Sequence, residues 1–328
     1  MLTQQDQLLI EILADGLFHS GTELAQQLGI SRVAIWKRLQ RFGAFGLEVQ
    51  SVPGRGYRFL RPLELLHAET LLSSMGASSR ALLKNLSLEL VVDSTNKVLM
   101  KGVERGIPSG SVEIAEYQTE GRGRLGNRWL APFASAVCLS VFWRFESSRE
   151  VAGLSLAVAV SLIRAFRRLG FSGVSLKWPN DLFLEGKKLG GILIEMAGEA
   201  HGASWVVVGI GINYRLPPEF ELAVDQPSTD LERVAGVELP GRNQLIGVMI
   251  DELLPVLEVY PSTGLEPFLP EWRNAHGFQG HAAALRLGEN EMIGTIEDID
   301  SHGLLVFRVE DGTLRTFASG EIRLRIRP

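Results

Sequence analysis

The pattern of apolar residues changes twice along the chain, and these changes limit what it can fold into. Up to residue 62 the apolar positions recur at helical spacing in short segments that end at Gly16 and Gly29. Strand-like segments alternating with a few long helices follow, and after about residue 278 only short strands with glycine turns remain. This grouping favours the α+β class. We predict three domains, covering residues 1–62, 63–273 and 274–328.

The N-terminal domain is predicted to be a winged helix-turn-helix. Ser20 and Glu23 form a capping box for one short helix, and Ser31 caps the next. The second helix would enter the major groove of DNA. Residues 47–60 then form a hairpin, the wing, with a turn at Pro53-Gly54-Arg55-Gly56. The core-facing positions expected on the second helix are Ile35, Trp36 and Leu39.

Charge supports a DNA-binding role for this domain. The whole chain has a net charge of −5, but residues 31–61 contain seven basic residues and one acidic residue, a local charge of +6. Such a cluster is suited to DNA phosphates. The alternative is a small helical adaptor with a solvated basic face. The predicted DNA-binding residues are Arg32, Lys37, Arg38 and Arg55.

Several classes of protein are disfavoured. Cys138 is the only cysteine, so neither an intrachain disulfide nor a cysteine-rich metal site is possible. The six histidines lack metal-ligand spacing. The first residues do not resemble a signal peptide. The apolar stretch at residues 151–163 is shorter than the roughly 20 residues that cross a bilayer. We expect a cytoplasmic protein without membrane contact.

The two remaining domains differ in their strands. Residues 63–273 predict a mixed sheet covered on one side by helices. The last fifty residues predict a small barrel of five short strands.

The segment Gly121-Arg122-Gly123-Arg124-Leu125-Gly126 is the main candidate for ligand binding. It fits the G-x-G-x-x-G expression, but no helix follows, so a dinucleotide site of the Rossmann type is excluded. No Gly-Lys-Ser/Thr follows either, which excludes a Walker A loop. Two arginines in a glycine-rich loop can instead close over an anion. An exposed basic loop without a ligand is the alternative.

Three further segments carry polar groups at the ends of predicted strands. Asp93-Ser94-Thr95-Asn96 opens a helix, Lys177-Trp178-Pro179-Asn180-Asp181 is followed by Lys187-Lys188-Leu189-Gly190-Gly191, and Gly209-Ile210-Gly211-Ile212-Asn213 closes a strand. Asp181 is a candidate Mg²⁺ ligand, and a lysine can neutralise a carboxylate or phosphate. Glycines in the last segment would let a planar ligand approach. Simple capping, turn formation and strand packing remain the alternatives.

Together these motifs resemble bacterial biotin protein ligases, in which Ser-Thr-Asn, GRGRxG, KWPND, KKLGG and GIGIN occur in the same order. The winged helix resembles the bifunctional members that also repress biotin biosynthesis genes. The similarity covers essentially the whole chain and is weakest after residue 215. Lipoate ligases lack the pair of motifs GRGRxG and KWPND. It implies a central domain like that of class II synthetases and biotin–lipoate ligases, and an SH3-like C-terminal barrel.

The resemblance also implies a reaction and its participants. Biotin and ATP would form biotinyl-5′-AMP with Mg²⁺, and biotin would pass to a lysine of a biotin carboxyl carrier protein. The adenylate-bound chain would be a homodimer that binds operator DNA. Catalytic roles fall to Arg124, Lys188 and Asp181, with Asp181 as Mg²⁺ ligand or as base. The implied biotin-binding residues are Ser94, Thr95, Asn96, Gln118, Arg122, Gly123, Arg124 and Lys188, and the implied ATP-binding residues are Trp129, Asn180 and Asn213.

Two other functions fit the same sequence. The chain could be a transcription factor whose C-terminal part only senses a ligand, or a ligase whose first 61 residues form a structural lid. Leu125 departs from the family pattern, because many members have a third basic residue there. This puts a role for that position in doubt.

Overall fold

A computed structural model describes residues 2–147, 151–198, 202–217, 227–234, 236–287, 290–319 and 322–326. In this part of the chain the α-helices are α1 (Gln4–Leu13), α2 (Gly21–Leu28), α3 (Arg32–Phe42), α4 (Ala68–Ser73), α5 (Ala77–Leu82), α6 (Thr95–Val103), α7 (Leu154–Arg168), α8 (Arg242–Thr263) and α9 (Leu269–Ala275). No helix among these described residues is long and apolar enough to cross a membrane.

The N-terminal domain consists of α1, α2, α3 and a hairpin of β1 (Val49–Val52) and β2 (Gly56–Phe59). The capping box of Ser20 and Glu23 begins α2, and Ser31 caps α3, as predicted. The wing is attached to the helices, because His19 and Tyr57 exchange backbone hydrogen bonds of 2.9 Å. A Cβ at Gly56 would lie 1.9 Å from the His19 carbonyl oxygen, so only glycine permits this pairing. The predicted winged helix-turn-helix is confirmed.

The orientation of one side chain in this domain differs from expectation. Trp36 is 50% exposed, whereas Ile35, Leu39 and Phe42 form the buried stripe of α3. An eleven-residue helix buries one face, and Trp36 lies beside that face. The prediction that Trp36 points inward is therefore wrong.

The central domain is built on a seven-stranded mixed sheet in the order β3-β4-β5-β9-β8-β7-β6. Only the β3–β4 pair is parallel. The strands are β3 (Asn85–Val92), β4 (Ser111–Gln118), β5 (Ala136–Phe145), β6 (Val174–Lys177), β7 (Asp181–Leu184), β8 (Lys187–Gly198) and β9 (Ser204–Asn213).

Helices cover both faces of this sheet. The buried residues of α7 and α8 pack in the large core with Val141 and Val208. Leu99 of α6 packs in a separate cluster with Phe142 and Val207, whose side chains alternate to the opposite face. The prediction of a sheet covered on one side is therefore corrected, since α6 covers part of the other face. This placement puts the beginning of α6 over the middle of β5 and β9, where Asn96 contacts Ser140 and Gly209.

The C-terminal strands form a five-stranded antiparallel sheet in the order β13-β12-β11-β10-β14. The strands are β10 (Ala282–Leu287), β11 (Asn290–Ile299), β12 (Leu305–Val309), β13 (Leu314–Phe317) and β14 (Ile322–Ile326). The five predicted strands are confirmed. Buried residues of this sheet, including Leu285 and Phe307, belong to the same core as the central domain. Trp178 also donates to the Gly303 carbonyl at 3.0 Å, so the two parts are directly joined.

Candidate functional site

Residues 121–129 form a closed loop at the end of β4. The Trp129 N–H donates to the Gly121 carbonyl at 2.9 Å, and the Gly123 N–H donates to the Asn127 carbonyl at 2.8 Å. Leu125 lies in the left-handed region, with φ of 54° and ψ of 36°. The loop borders a cavity of about 690 Å³, whose opposite wall contains Leu193, Ile194 and Glu195 of β8. The two arginines of the motif therefore face one cavity.

The indole of Trp129 lies across Gly211 of β9. A Cβ at Gly211 would lie 2.6 Å from the Trp129 ring, and one at Gly121 would lie 2.4 Å from the Trp129 carbonyl oxygen. Both glycines are required by this packing. The Trp129 Nε1 is buried next to the Cys138 thiol and has no nitrogen or oxygen partner. An acceptor from a ligand would satisfy it.

The beginning of α6 carries three buried polar residues, Ser94, Thr95 and Asn96. Gln118 Oε1 accepts from the Thr95 backbone N–H at 2.8 Å and from its hydroxyl at 3.2 Å. Ser140 of β5 lies within hydrogen-bond distance of Thr95 Oγ1, at 2.7 Å, and of Asn96 Oδ1, at 2.5 Å. Thr95, Asn96, Gln118 and Ser140 come from three elements and form one polar network.

Asn96 also fits closely against β9. A Cβ at Gly209 would lie 2.3 Å from Asn96 Oδ1. The glycines of the GIGIN segment were expected to admit a planar ligand, but Gly209 and Gly211 accommodate Asn96 and Trp129. The side chains of the protein itself occupy the space that these glycines leave.

Glu195 connects this network to the loop. Its Oε2 accepts from Asn96 Nδ2 at 2.8 Å, and its Oε1 lies 3.4 Å from Arg122 Nη1. The Arg122 side chain is 46% exposed and that of Glu195 is 28% exposed. The carboxylate thus contacts two of the residues expected to bind biotin.

A second group of charged residues lies where β7 and β8 meet. Lys188 Nζ pairs with Asp181 Oδ1 at 2.7 Å. Arg124 donates to Asn180 Oδ1 at 3.2 Å and also to the Ser319 carbonyl of the C-terminal domain. Burial lowers the pKa of Arg124, and the nearby Asp181 carboxylate raises it. This group supplies two cations and one carboxylate beside the loop.

Asn213, at the end of β9, is buried and donates to the Thr229 carbonyl at 2.9 Å. Thr229 in turn donates its N–H to the Lys188 carbonyl at 2.9 Å. Asn213 is therefore connected through the backbone to Lys188.

The residues fit a metal ion only when substrate phosphates complete its coordination. No group of three or more His, Cys, Asp or Glu side chains suited to a metal occurs among the described residues. Asp181 is already paired with Lys188. Mg²⁺ commonly uses one or two carboxylates together with substrate phosphates. The donor set therefore suits a metal that enters with a nucleotide.

The predicted DNA-binding residues are not equivalent. Arg32, Lys37 and Arg55 are exposed. The guanidinium of Arg55 lies 4.2 Å from the centroid of the Phe18 ring, which orients it beside the wing. Arg38 instead donates to Asp6 Oδ1 at 2.5 Å and to Gln5 Oε1 at 2.5 Å. A DNA contact by Arg38 stays a prediction, and its guanidinium is held within the domain by these two residues.

Three residues of the site were not identified from the sequence: Ser140, Glu195 and Ser319. Ser140 and Glu195 each interrupt an apolar run within a strand, and this interruption was the available signal. Ser319 contributes only its backbone carbonyl, which every residue type has, so the sequence could not indicate it. Cys138 of β5 is buried, and burial raises the pKa of its thiol to about 11.

Sequence families match all three parts of the chain. The family described as Biotin/lipoate A/B protein ligase matches residues 88–213. An HTH domain family matches residues 4–58, and the family described as Biotin protein ligase C terminal domain matches residues 284–325.

Similar proteins cover nearly the whole chain. The Bifunctional ligase/repressor BirA of Escherichia coli is 39% identical over 318 residues, which are 97% of this chain and 96% of that protein. The protein of the same name from Bacillus subtilis is 28% identical and covers 95% of this chain and 96% of its own length. A biotin protein ligase from Aquifex aeolicus, solved in complex with biotin and ATP, superposes with a TM-score of 0.62 at 28% identity. That match covers 74% of this chain and 100% of the Aquifex chain.

Proposed function

The chain belongs to the biotin protein ligase family, and we infer from this membership that it is a bifunctional biotin ligase and repressor. It joins biotin and ATP into biotinyl-5′-AMP and transfers biotin to a lysine of a carrier protein. The observation that supports this function best is that Glu195 links Arg122 to Asn96 of the polar network, while Arg124 and Lys188 both lie near the Asp181 carboxylate.

The first step brings two anions together. A carboxylate oxygen of biotin attacks the α-phosphorus of ATP, an O–P bond forms, and pyrophosphate leaves. Positive charge must offset the repulsion and stabilise the transition state. We assign this role to Arg124 and Lys188, since Arg124 is held by Asn180 and by the Ser319 carbonyl. Lys188 would exchange its contact with Asp181 for one with the acyl phosphate.

The second step transfers the biotinyl group. The neutral amine of the carrier lysine attacks the acyl carbon, an amide forms, and AMP leaves. We propose a biotin carboxyl carrier protein as the acceptor. Asp181 remains the proposed base, provided that its contact with Lys188 opens when the phosphate takes over that lysine.

Ligand pockets are assigned by position. We propose that Ser94, Thr95, Asn96 and Gln118 bind biotin, with Arg122, Gly123 and Arg124 closing over it. Trp129, Asn180 and Asn213 are proposed to bind ATP. The Nε1 of Trp129 has no nitrogen or oxygen partner, which supports a ligand acceptor at that position. Mg²⁺ is proposed to arrive with ATP and to supply charge neutralisation of its phosphates.

The N-terminal domain carries the repressor function. We propose that α3 enters the major groove of operator DNA, while Arg32, Lys37 and Arg55 contact phosphates or bases. A homodimer promoted by the bound adenylate would span two half-sites. We also propose a cytoplasmic location, where biotin, ATP and DNA are all present.

Pyrophosphate exchange tests the proposed ligase activity. The chain should exchange labelled pyrophosphate into ATP only with biotin and Mg²⁺, and should label a carrier domain with biotin. Lys188→Ala should slow adenylate formation by about 10²-fold, and Arg124→Ala should weaken retention of the adenylate. Lys187→Ala is the matched control, because this neighbouring lysine is exposed and should retain activity. An absence of biotin-dependent exchange would contradict the ligase function.

A further inference from the structure

The position of Glu195 is unusual for a site that binds anions. Its carboxylate lies on the wall of the cavity bordered by the arginine loop. An unpaired carboxylate there would repel biotin and ATP. Its two oxygens are instead divided between an amide and a guanidinium, so it has two separable contacts.

The contact with Asn96 is the closer of the two. Asn96 Nδ2 donates to Glu195 Oε2 at 2.8 Å, and Asn96 Oδ1 lies 2.5 Å from the Ser140 hydroxyl. Both ends of the amide are therefore occupied, which fixes its orientation. Asn96 is buried, so loss of its acceptor would leave an unsatisfied N–H group.

The contact with Arg122 is longer and more exposed. The 3.4 Å separation and the 46% exposure of Arg122 describe a weak pair that an anion can displace. A ligand carboxylate or phosphate in the cavity would compete with Glu195 for the same guanidinium. The two contacts therefore have opposite effects on binding: one prepares the site, and the other must be broken.

We propose that Glu195 is a positioning residue that orients Asn96 and holds Arg122 until an anionic ligand displaces it. This inference rests on the proposed function, because the competing anion is biotin or its adenylate. It adds a residue that orients biotin-site groups and makes ligand binding an exchange of partners at Arg122.

Glu195→Gln separates the two contacts. Glutamine has one acceptor oxygen, and the closer Asn96 amide takes it, which leaves an NH₂ group facing Arg122. Asn96 stays oriented while Arg122 is released. The affinity for a non-hydrolysable biotinyl adenylate analogue should rise about two- to fivefold. Glu195→Ala removes both contacts, and the affinity should fall about tenfold because the Asn96 amide is unsatisfied.

Titration calorimetry with biotin and with the analogue measures these effects in the full chain. Glu146→Gln is the matched control, since Glu146 also pairs with an arginine, Arg144, at 3.4 Å, but lies outside the cavity. Affinity changes of opposite sign in the two Glu195 variants support the proposal. Changes of the same sign in the two variants would overturn it. An unchanged or lowered affinity in Glu195→Gln would overturn it alone, even if Glu195→Ala did not fold. A wild-type chain that fails to bind biotin would contradict the proposed function itself.

Discussion

The backbone N–H of Phe133 donates to the Phe45 carbonyl at 3.0 Å and thereby joins the arginine-loop segment to the DNA-binding domain. The Phe133 side chain is 2% exposed and packs in the core of the N-terminal domain. Phe45 also stacks edge-on against Tyr117, with ring centroids 5.4 Å apart. Residues 132–134 therefore connect the candidate ligand site to the winged helix by direct packing.

Phe133→Leu should uncouple ligand binding from DNA binding. The smaller side chain keeps the segment buried at a cost of about 1 kcal/mol. It should reduce the ligand-dependent gain in DNA affinity about fivefold or more, if this packing transmits the signal. Pyrophosphate exchange should be unchanged. Fluorescence anisotropy with DNA from upstream of the biotin genes, with and without biotin and ATP, measures the gain.

The control for this variant is Phe171→Leu. Phe171 is 1% exposed and packs against Phe166 in the central core, away from the N-terminal domain. The Phe171→Leu variant should lose a similar amount of stability and keep the ligand-dependent gain in DNA affinity. A normal gain in Phe133→Leu, or an equal loss in both variants, would rule out transmission through Phe133.

Arg55 and Arg38 should affect DNA binding by different routes. Arg55→Ala should weaken DNA binding. The slope of the logarithm of the binding constant against the logarithm of salt concentration should become shallower by about one unit, as expected for one lost phosphate contact. Arg38→Ala removes a partner of the buried Asp6, so the free energy of unfolding should fall by about 2 kcal/mol. Its salt slope should stay unchanged. Salt titrations of DNA binding and urea denaturation of both variants distinguish a lost DNA contact from lost stability. A shallower salt slope in Arg38→Ala alone would contradict this assignment.

The Gly121–Gly126 loop should become protected when ligand binds. Arg122 is 46% exposed, and three glycines in six residues make ordering of the loop costly in entropy. Trypsin should cleave after Arg122 or Arg124 rapidly in the free protein and slowly with biotin and ATP. Cleavage after Arg55 in the wing serves as the internal control. Equal rates at the loop with and without ligand would refute coupled ordering.

Glu113 should make stability depend on pH. Burial raises the pKa of this carboxyl to about 7, with a smaller contribution from the nearby Glu89. The folded chain therefore holds a proton that the unfolded chain loses above its ordinary pKa of 4.5. Stability should decline as pH rises from 4.5 to 7, by about 3 kcal/mol at most.

Glu113→Gln carries no charge and should remove that decline. The advantage of the variant over wild type should grow from pH 5 to pH 8 in thermal denaturation. Glu89→Gln, an exposed neighbour, should change the profile much less. A constant difference between Glu113→Gln and wild type at all pH values would contradict the assignment.

Local signals in the sequence predicted the elements well. Ser20, Glu23 and Ser31 are chemically specific for helix starts, and these caps are present. The orientation of Trp36 was wrong because hydrophobicity alone does not say which apolar residue of α3 lies outside the buried stripe. DNA-binding helices also need exposed side chains that can contact DNA, so their apolar residues do not all face the core.

Contacts between distant segments were harder to predict. The motifs indicated which segments carry chemistry, but strand order decides which of their residues meet. Ser140 and Glu195 lie on β5 and β8, and β9 separates these strands in the sheet. Their shared contact with Asn96 arises from α6 crossing that part of the sheet. Periodicity within each strand carries no information about this crossing.

The contact between Arg124 and the Ser319 carbonyl has a kinetic consequence. It spans 195 residues of sequence, and contacts of such separation form late because closing a long chain segment costs entropy. Refolding followed by helix content should therefore run ahead of refolding followed by adenylate synthesis. Arg124, for which we propose a catalytic role, would acquire its final acceptor only when the C-terminal sheet has docked, which makes that sheet the last contributor to an active enzyme.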